Sequence, residues 1–119
     1  MKIVIAEDER IIALGLSSTL KKLGHDVRGL CPTGELCIES VEREQPDVIF
    51  MDIRMEGGMD GIEAARIVKT RFGTPVVFTT AFDDSDTRAR AAATNPVAFL
   101  TKPITSDSVR DVLSNLNGA

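Results

Sequence analysis

The sequence predicts one α/β domain, a parallel sheet doubly wound with helices on both faces. Three observations carry that expectation. Short apolar runs alternate five times with stretches of helical periodicity. Glycine, proline or a capping residue punctuates most of the junctions. The chain has 119 residues, 43% hydrophobic and 27% charged, which is the size of one ordinary domain with apolar material enough for a core. Strands that are apolar throughout need cover on both faces, and strict alternation with helices implies right-handed crossovers.

The first run, Ile3-Val4-Ile5-Ala6, is continuous and apolar. Ile11, Ile12, Leu14, Leu16, Leu20 and Leu23 then recur at helical spacing, with Gly24 placed for a left-handed C-cap. A weaker strand spans Asp26 to Leu30. Gly34 to Glu44 reads as a helix with Thr33 as N-cap and Leu36, Ile38 and Val41 as its stripe. Pro46 precedes the most apolar strand, Val48-Ile49-Phe50-Met51. After the loop Met55-Glu56-Gly57-Gly58-Met59, Asp60 and Glu63 resemble a capping box opening a helix with Ile62, Ala65 and Ile67. Gly73 ends it, and Pro75 enters the strand Val76-Val77-Phe78-Thr79. A polar, Ala-rich helix from about Asp84 to Ala93, the strand Val97-Ala98-Phe99-Leu100, and a last helix from Ser106 to Leu116, stopped near Gly118, complete the chain.

Charge and composition exclude several classes. A net charge of −4 argues against direct nucleic-acid binding. Aromatics are 4% and all Phe, so there are no Trp or Tyr platforms for stacking. Cys31 and Cys37 form no CxxC unit, and one His cannot complete a zinc set with them; they read as small core residues in a reducing compartment. No apolar run approaches the roughly 18 residues of a membrane span, and Glu7, Asp8 and Glu9 come too soon after the first strand for a signal peptide. The expected location is cytoplasmic, without a membrane partner.

In doubly wound sheets, ligands sit beyond the carboxyl ends of the strands. The residues just past each strand are therefore informative. Glu7, Asp8 and Glu9 come after the first, Asp52 after the third, Thr80-Ala81 after the fourth and Lys102-Pro103 after the fifth. Singly, these groups have ordinary explanations as helix caps, dipole partners or solvated lysine. Their concentration at one edge points instead to a shared site. Carboxylates without imidazole or thiolate select a hard cation, Mg²⁺ by preference. A carboxylate beside such a cation can attack a phosphoryl group and form an acyl phosphate. Asp52, on the most apolar strand, is the best nucleophile; Glu7 and Asp8 suit the metal, Lys102 the phosphoryl oxygens and Thr80 the bound phosphate.

These residues resemble the signature of the response-regulator receiver domain of two-component signalling. The matching pieces are Ile5-Ala6-Glu7-Asp8-Glu9, Pro46 to Met55, Met59-Asp60-Gly61-Ile62-Glu63-Ala64, Thr79-Thr80-Ala81 and Phe99-Leu100-Thr101-Lys102-Pro103, in order along essentially the whole chain. The resemblance implies a flavodoxin-like fold with strand order 2-1-3-4-5. It also implies that a histidine kinase or histidine phosphotransfer protein supplies a phosphoryl group to Asp52. Mg²⁺ would be held by Asp8, Asp52, the Arg54 backbone carbonyl and, through water, Glu7. Thr80, Ala81 and Lys102 would bind the phosphoryl oxygens. Thr80 would then swing toward the phosphoryl group and Phe99 would turn inward, repacking the face of the fourth helix, fifth strand and fifth helix that a downstream protein partner reads. A cis Lys102-Pro103 bond would aim the lysine. Such a domain is a self-phosphorylating switch with autodephosphorylation rather than an enzyme turning over a separate substrate. It is expected as a monomer or a phosphorylation-dependent dimer.

Several positions depart from the usual pattern. Glu7 stands where Asp is commoner, the Glu56-Gly57-Gly58 loop is one residue longer, and Asn95-Pro96 replaces a frequent Gly-Ala. Phe99 lacks the hydroxyl of a frequent Tyr, so a switch through it should work by packing alone. Arg54 and Phe82 hold the two positions that the family associates with acyl-phosphate lifetime. His25 reads as a structural surface residue. Asp83-Asp84-Ser85-Asp86 reads as a helix N-terminal turn, and Arg88 and Arg90 as solvated side chains or a partner contact.

The alternatives are a small Mg²⁺-dependent phosphohydrolase, which would want an acid at Arg54, and a flavin module, whose phosphate the Glu7-Asp8-Glu9 run would repel. A receiver domain excised from a longer response regulator or hybrid kinase is a further one. Met1 directly before the first strand and a finished last helix favour a stand-alone domain over residues 1–119.

Overall fold

The apolar runs become five parallel strands, β1 (Lys2–Ala6), β2 (Asp26–Cys31), β3 (Val48–Asp52), β4 (Val76–Thr80) and β5 (Ala98–Thr101), in sheet order β2-β1-β3-β4-β5. Five helices connect and cover them: α1 (Arg10–Lys22), α2 (Gly34–Glu44), α3 (Gly61–Phe72), α4 (Ser85–Ala92) and α5 (Ser106–Asn117). The structure is a computed structural model that describes residues 1–55, 57–81 and 84–117. Glu56, Phe82, Asp83 and Gly118, which carried expectations about loop length, phosphate lifetime and helix ends, lie outside the described residues.

Alternation along each central strand divides the core in two, as a doubly wound sheet requires. Ile3, Ile5, Phe50 and Val77 face Ala13, Leu16 and Leu20 of α1 and Val109 and Leu113 of α5. Val4, Ile49, Met51 and Phe78 face Cys37 and Val41 of α2 and Ile62, Ala65 and Val68 of α3. Every residue of β3 and β4 is buried, which is why their sequences are apolar until the last one or two positions. Cys31 and Cys37 are both free and buried.

The punctuation works as expected with small shifts. Gly24 takes φ +92°, His25 N–H donates to the Leu20 carbonyl and Gly24 N–H to Lys21, a Schellman end for α1. Thr33 Oγ1 accepts from Leu36 N–H, and Asp60 Oδ1 from Glu63 N–H at 2.9 Å. Gln45 closes α2 with a left-handed φ of +47°, a role usually given to glycine and not anticipated from the sequence. β5 begins at Ala98, not Val97, because the pairing with β4 starts at Val77–Ala98 and runs on to Thr80–Thr101. β3 and β4 each extend one residue further than the strand read from the sequence, to Asp52 and Thr80. Both polar residues are thus fixed at strand ends. His25 lies at the amino end of β2, across the sheet from those ends. Among the described residues, no helix is long and apolar enough to cross a membrane.

Candidate functional site

Parallel strands deliver their last residues to one edge. Glu7 follows β1 and is buried, Asp8 after it is half-buried, Asp52 ends β3 at 7% exposure, and Thr80 ends β4, buried. Ala81 comes next, exposed. Lys102 follows β5, with its backbone N–H donating to the Thr80 carbonyl at 2.8 Å. The Lys102–Pro103 peptide is cis. The sheet ladder holds Asp52 and Thr80, and backbone hydrogen bonds to the Cys31 and Thr80 carbonyls hold Glu7 and Lys102 just beyond it.

The structure joins these groups directly. Lys102 Nζ lies 2.6 Å from Glu7 Oε1 and 3.2 Å from Asp52 Oδ2, and all three side chains are largely buried. Carboxylate oxygens of Glu7, Asp8 and Asp52 lie within 4.8 Å of one another. The capping explanation fails for Glu7 and Asp52. Glu9, at the N-cap of α1, makes no side-chain cap bond, and the Glu7 carboxylate that accepts from Glu9 N–H at 3.1 Å is turned to Lys102. Helix α3 is capped by Asp60, not by Asp52. Three carboxylates with one ammonium leave a negative, partly desolvated cluster of oxygen donors, which fits a hard divalent cation and offers nothing to a soft one.

Electrostatics separate the two buried acids. Burial raises the Asp52 carboxyl, the neighbouring Glu7 raises it further by charge and hydrogen bonding, and Lys102 opposes them, leaving it pushed up to about 7. Burial alone would raise Glu7 too, but the hydrogen bonds from Lys102 and Glu9 N–H outweigh it, and its pKa is lowered. Burial would lower Lys102; its hydrogen bond to Glu7 and the charge of Asp52 prevail and raise it. The folded chain therefore keeps a proton on Asp52 that the unfolded chain loses near 3.8. The stability this proton confers is present at acid pH and lost as pH rises through about 7. Asp52→Asn, which cannot ionise, should consequently be more stable than the parent by about 2–4 kcal/mol at pH 8 without divalent ions, with the gain vanishing near pH 4. Urea unfolding at several pH values checks this, and a gain independent of pH would contradict it.

Comparison with known proteins decides the family. The profile of the response regulator receiver domain matches residues 3–114. The chain belongs to the response regulator receiver domain family. This receiver is 34% identical over 112 residues to the transcriptional regulatory protein PdtaR of Mycobacterium tuberculosis, covering 94% of this chain and 53% of that protein. It is also 34% identical over 116 residues to an uncharacterized response regulatory protein of Vibrio cholerae, covering 95% and 43%. The chain spans about half the length of these curated relatives or less. The signal receiver domain of a modulated diguanylate cyclase from Desulfovibrio desulfuricans superposes with a TM-score of 0.92 at 31% identity, covering 97% of this chain and 91% of that one. The N-terminal domain of a response regulator/sensory box/GGDEF 3-domain protein from Carboxydothermus hydrogenoformans gives 0.88 at 29%, covering 98% and 93%. The flavodoxin-like order of the strands is that of these neighbours. Receiver domains are signalling switches that work with histidine kinases or phosphotransfer proteins and bind Mg²⁺ in an acidic pocket.

Other residues at the receiver's site were less visible beforehand. Gly61 packs directly against β3: a Cβ there would fall inside the Asp52 carbonyl oxygen, while Gly61 N–H donates to the Ile53 carbonyl at 2.8 Å. Arg54 N–H donates to Asp52 Oδ1 at 3.3 Å, and its guanidinium reaches Asp84 at 4.0 Å. Phe99 stacks on buried Phe78 with centroids 5.7 Å apart, and Arg88 covers its ring at 4.4 Å. A cation–π contact from Arg88 thus holds this ring together with its packing on Phe78. Arg90, exposed to solvent, also pairs with Asp60 at 3.4 Å.

Proposed function

We propose that this receiver accepts a phosphoryl group from a partner's phosphohistidine onto Asp52. The observation that carries the reading is the buried Asp52 carboxyl, which shares the Lys102 ammonium with Glu7 at the strand ends and has no capping duty on α3 to account for it. An ionised Asp52 oxygen attacks phosphorus, the P–N bond to the donor imidazole breaks with its electron pair on nitrogen, and the imidazole, already protonated on its other ring nitrogen, leaves neutral. Asp8, Asp52, the Arg54 backbone carbonyl and, through water, Glu7 would hold Mg²⁺. When bound, that ion draws Asp52 into its ionised form and neutralises charge on the transferring oxygens.

The chain's own groups complete the site. Lys102 already lies 3.2 Å from Asp52 and needs only a small excursion to meet a phosphoryl oxygen. The Thr80 hydroxyl and Ala81 N–H, at the end of the adjacent strand, would hold the others. Movement of Thr80 and Phe99 would repack the face of α4, β5 and α5 for a downstream protein, as a monomer or a phosphorylation-dependent dimer. Hydrolysis of the acyl phosphate by water would reset the switch. We place this activity in the cytoplasm, with no direct nucleic-acid or membrane contact by the receiver.

Acetyl phosphate with Mg²⁺ should add one phosphoryl group per chain by intact mass, and EDTA should abolish the addition. Uptake that is indifferent to EDTA, or absent with Mg²⁺, would contradict the reading.

A further inference from the structure

Helix α4 is anchored unlike its neighbours. It buries one residue, Ala91, whereas α1 and α2 bury four each and α3 buries five. Charge takes the place of the missing apolar face. Two aspartates serve both as helix caps and as ion-pair partners, in a reciprocal arrangement. Asp60 caps α3 through Oδ1 and meets Arg90 of α4 through Oδ2 at 3.4 Å. Asp84 caps α4 through Oδ1 and meets Arg54, in the segment between β3 and α3, through Oδ2 at 4.0 Å. Lys69 of α3 adds a bond to the Asn95 carbonyl beyond the far end of α4. Arg54 is also two residues from the phosphoacceptor and shares a backbone hydrogen bond with it.

We propose that the pairs Arg90–Asp60 and Arg54–Asp84 form a charge latch holding α4 against the β3–α3 segment, and that a phosphoryl group on Asp52 opens its Arg54 half. The second step rests on the function proposed above. A phosphoryl group brings nearly two negative charges beside Arg54 and competes with the single charge of Asp84 for the guanidinium. Each pair is solvent-exposed and individually weak. The latch matters because α4 has so little buried surface to fall back on.

Hydrogen exchange of the α4 amides in the full chain tests both steps. Asp60→Asn and Asp84→Asn keep the capping Oδ1 and lose the charge with the Oδ2 acceptor. Thr87→Val in the parent measures the share of the Asp84 effect that belongs to the Thr87 hydroxyl bond at 3.2 Å. Each aspartate variant should speed α4 exchange about two- to fivefold, leaving α2 unchanged. Asp60→Asn combined with Arg90→Gln should be no faster than Asp60→Asn alone, and about 0.5 M NaCl should accelerate the parent but not a variant lacking both pairs. Unchanged α4 exchange in both single variants, or additive acceleration in the combined one, overturns the latch. For the second step, chains shown by intact mass to carry the phosphoryl group should exchange α4 amides at the same rate with Asp84 or Asn at that position. A difference that persists in phosphorylated chains overturns the Arg54 exchange. Absence of phosphoryl uptake removes the function and the Arg54 step together, while the unphosphorylated comparison still decides the latch.

Discussion

Gly61→Ala is expected to destabilise the receiver by about 3 kcal/mol and to slow phosphoryl uptake by about a hundredfold. The added Cβ collides with the backbone carbonyl oxygen of Asp52, not with a side chain that could rotate away. Relief requires either β3 to retreat from its place between β1 and β4 or the first turn of α3 to lift and break the Gly61–Ile53 hydrogen bond. The first distorts the fully buried central strand and moves the Asp52 carboxylate relative to Lys102, and the second loosens the segment that follows Asp52. Urea unfolding and the rate of uptake from acetyl phosphate measure the two effects. Parental stability together with a parental rate would show that the close approach is inconsequential.

Lys102→Met should have an effect of similar size for an electrostatic reason. Methionine fills much the same volume but leaves Glu7 and Asp52 as neighbouring buried carboxyls with no cation between them. At pH 8 without divalent ions the loss should be about 3 kcal/mol, the cost of breaking a buried pair from one side. Without Lys102 to oppose it, the folded-state pKa of the carboxyl pair rises further. Stability then recovers as pH falls and one carboxyl protonates. Uptake should fall about 10²- to 10³-fold even with Mg²⁺ present, because a donor aimed at the developing charge is gone. A variant as stable as the parent at pH 8 would mean that Lys102 does not neutralise this cluster.

The sequence showed the site better than it showed what surrounds it. Strand ends are legible because apolar runs stop where the sheet stops, and parallel strands with intervening helices put all those ends on one edge. That alone brings Glu7, Asp8, Asp52, Thr80 and Lys102 to one edge. The position of Gly61 was visible as part of a motif, yet its contact with the Asp52 carbonyl depends on how α3 descends onto β3, which no periodicity encodes. The Arg90–Asp60 pair spans 30 residues and two exposed ends, where spacing carries no signal. The bridge from Lys102 to both Glu7 and Asp52 carries no signal in the sequence either, because it arises when an ammonium meets the nearest negative charges in the fold. Gln45 in a left-handed cap was equally invisible, because the residue type usually marks no such turn.

The central claim is that Asp52 is the residue that receives the phosphoryl group. Its most direct test is intact mass after incubation of the receiver and of Asp52→Ala with acetyl phosphate and Mg²⁺, each read before and after hydroxylamine. The account predicts one hydroxylamine-labile phosphoryl group on the parent and none on the variant. Equal labelling of the two chains, or a phosphoryl group that hydroxylamine leaves in place, would contradict it.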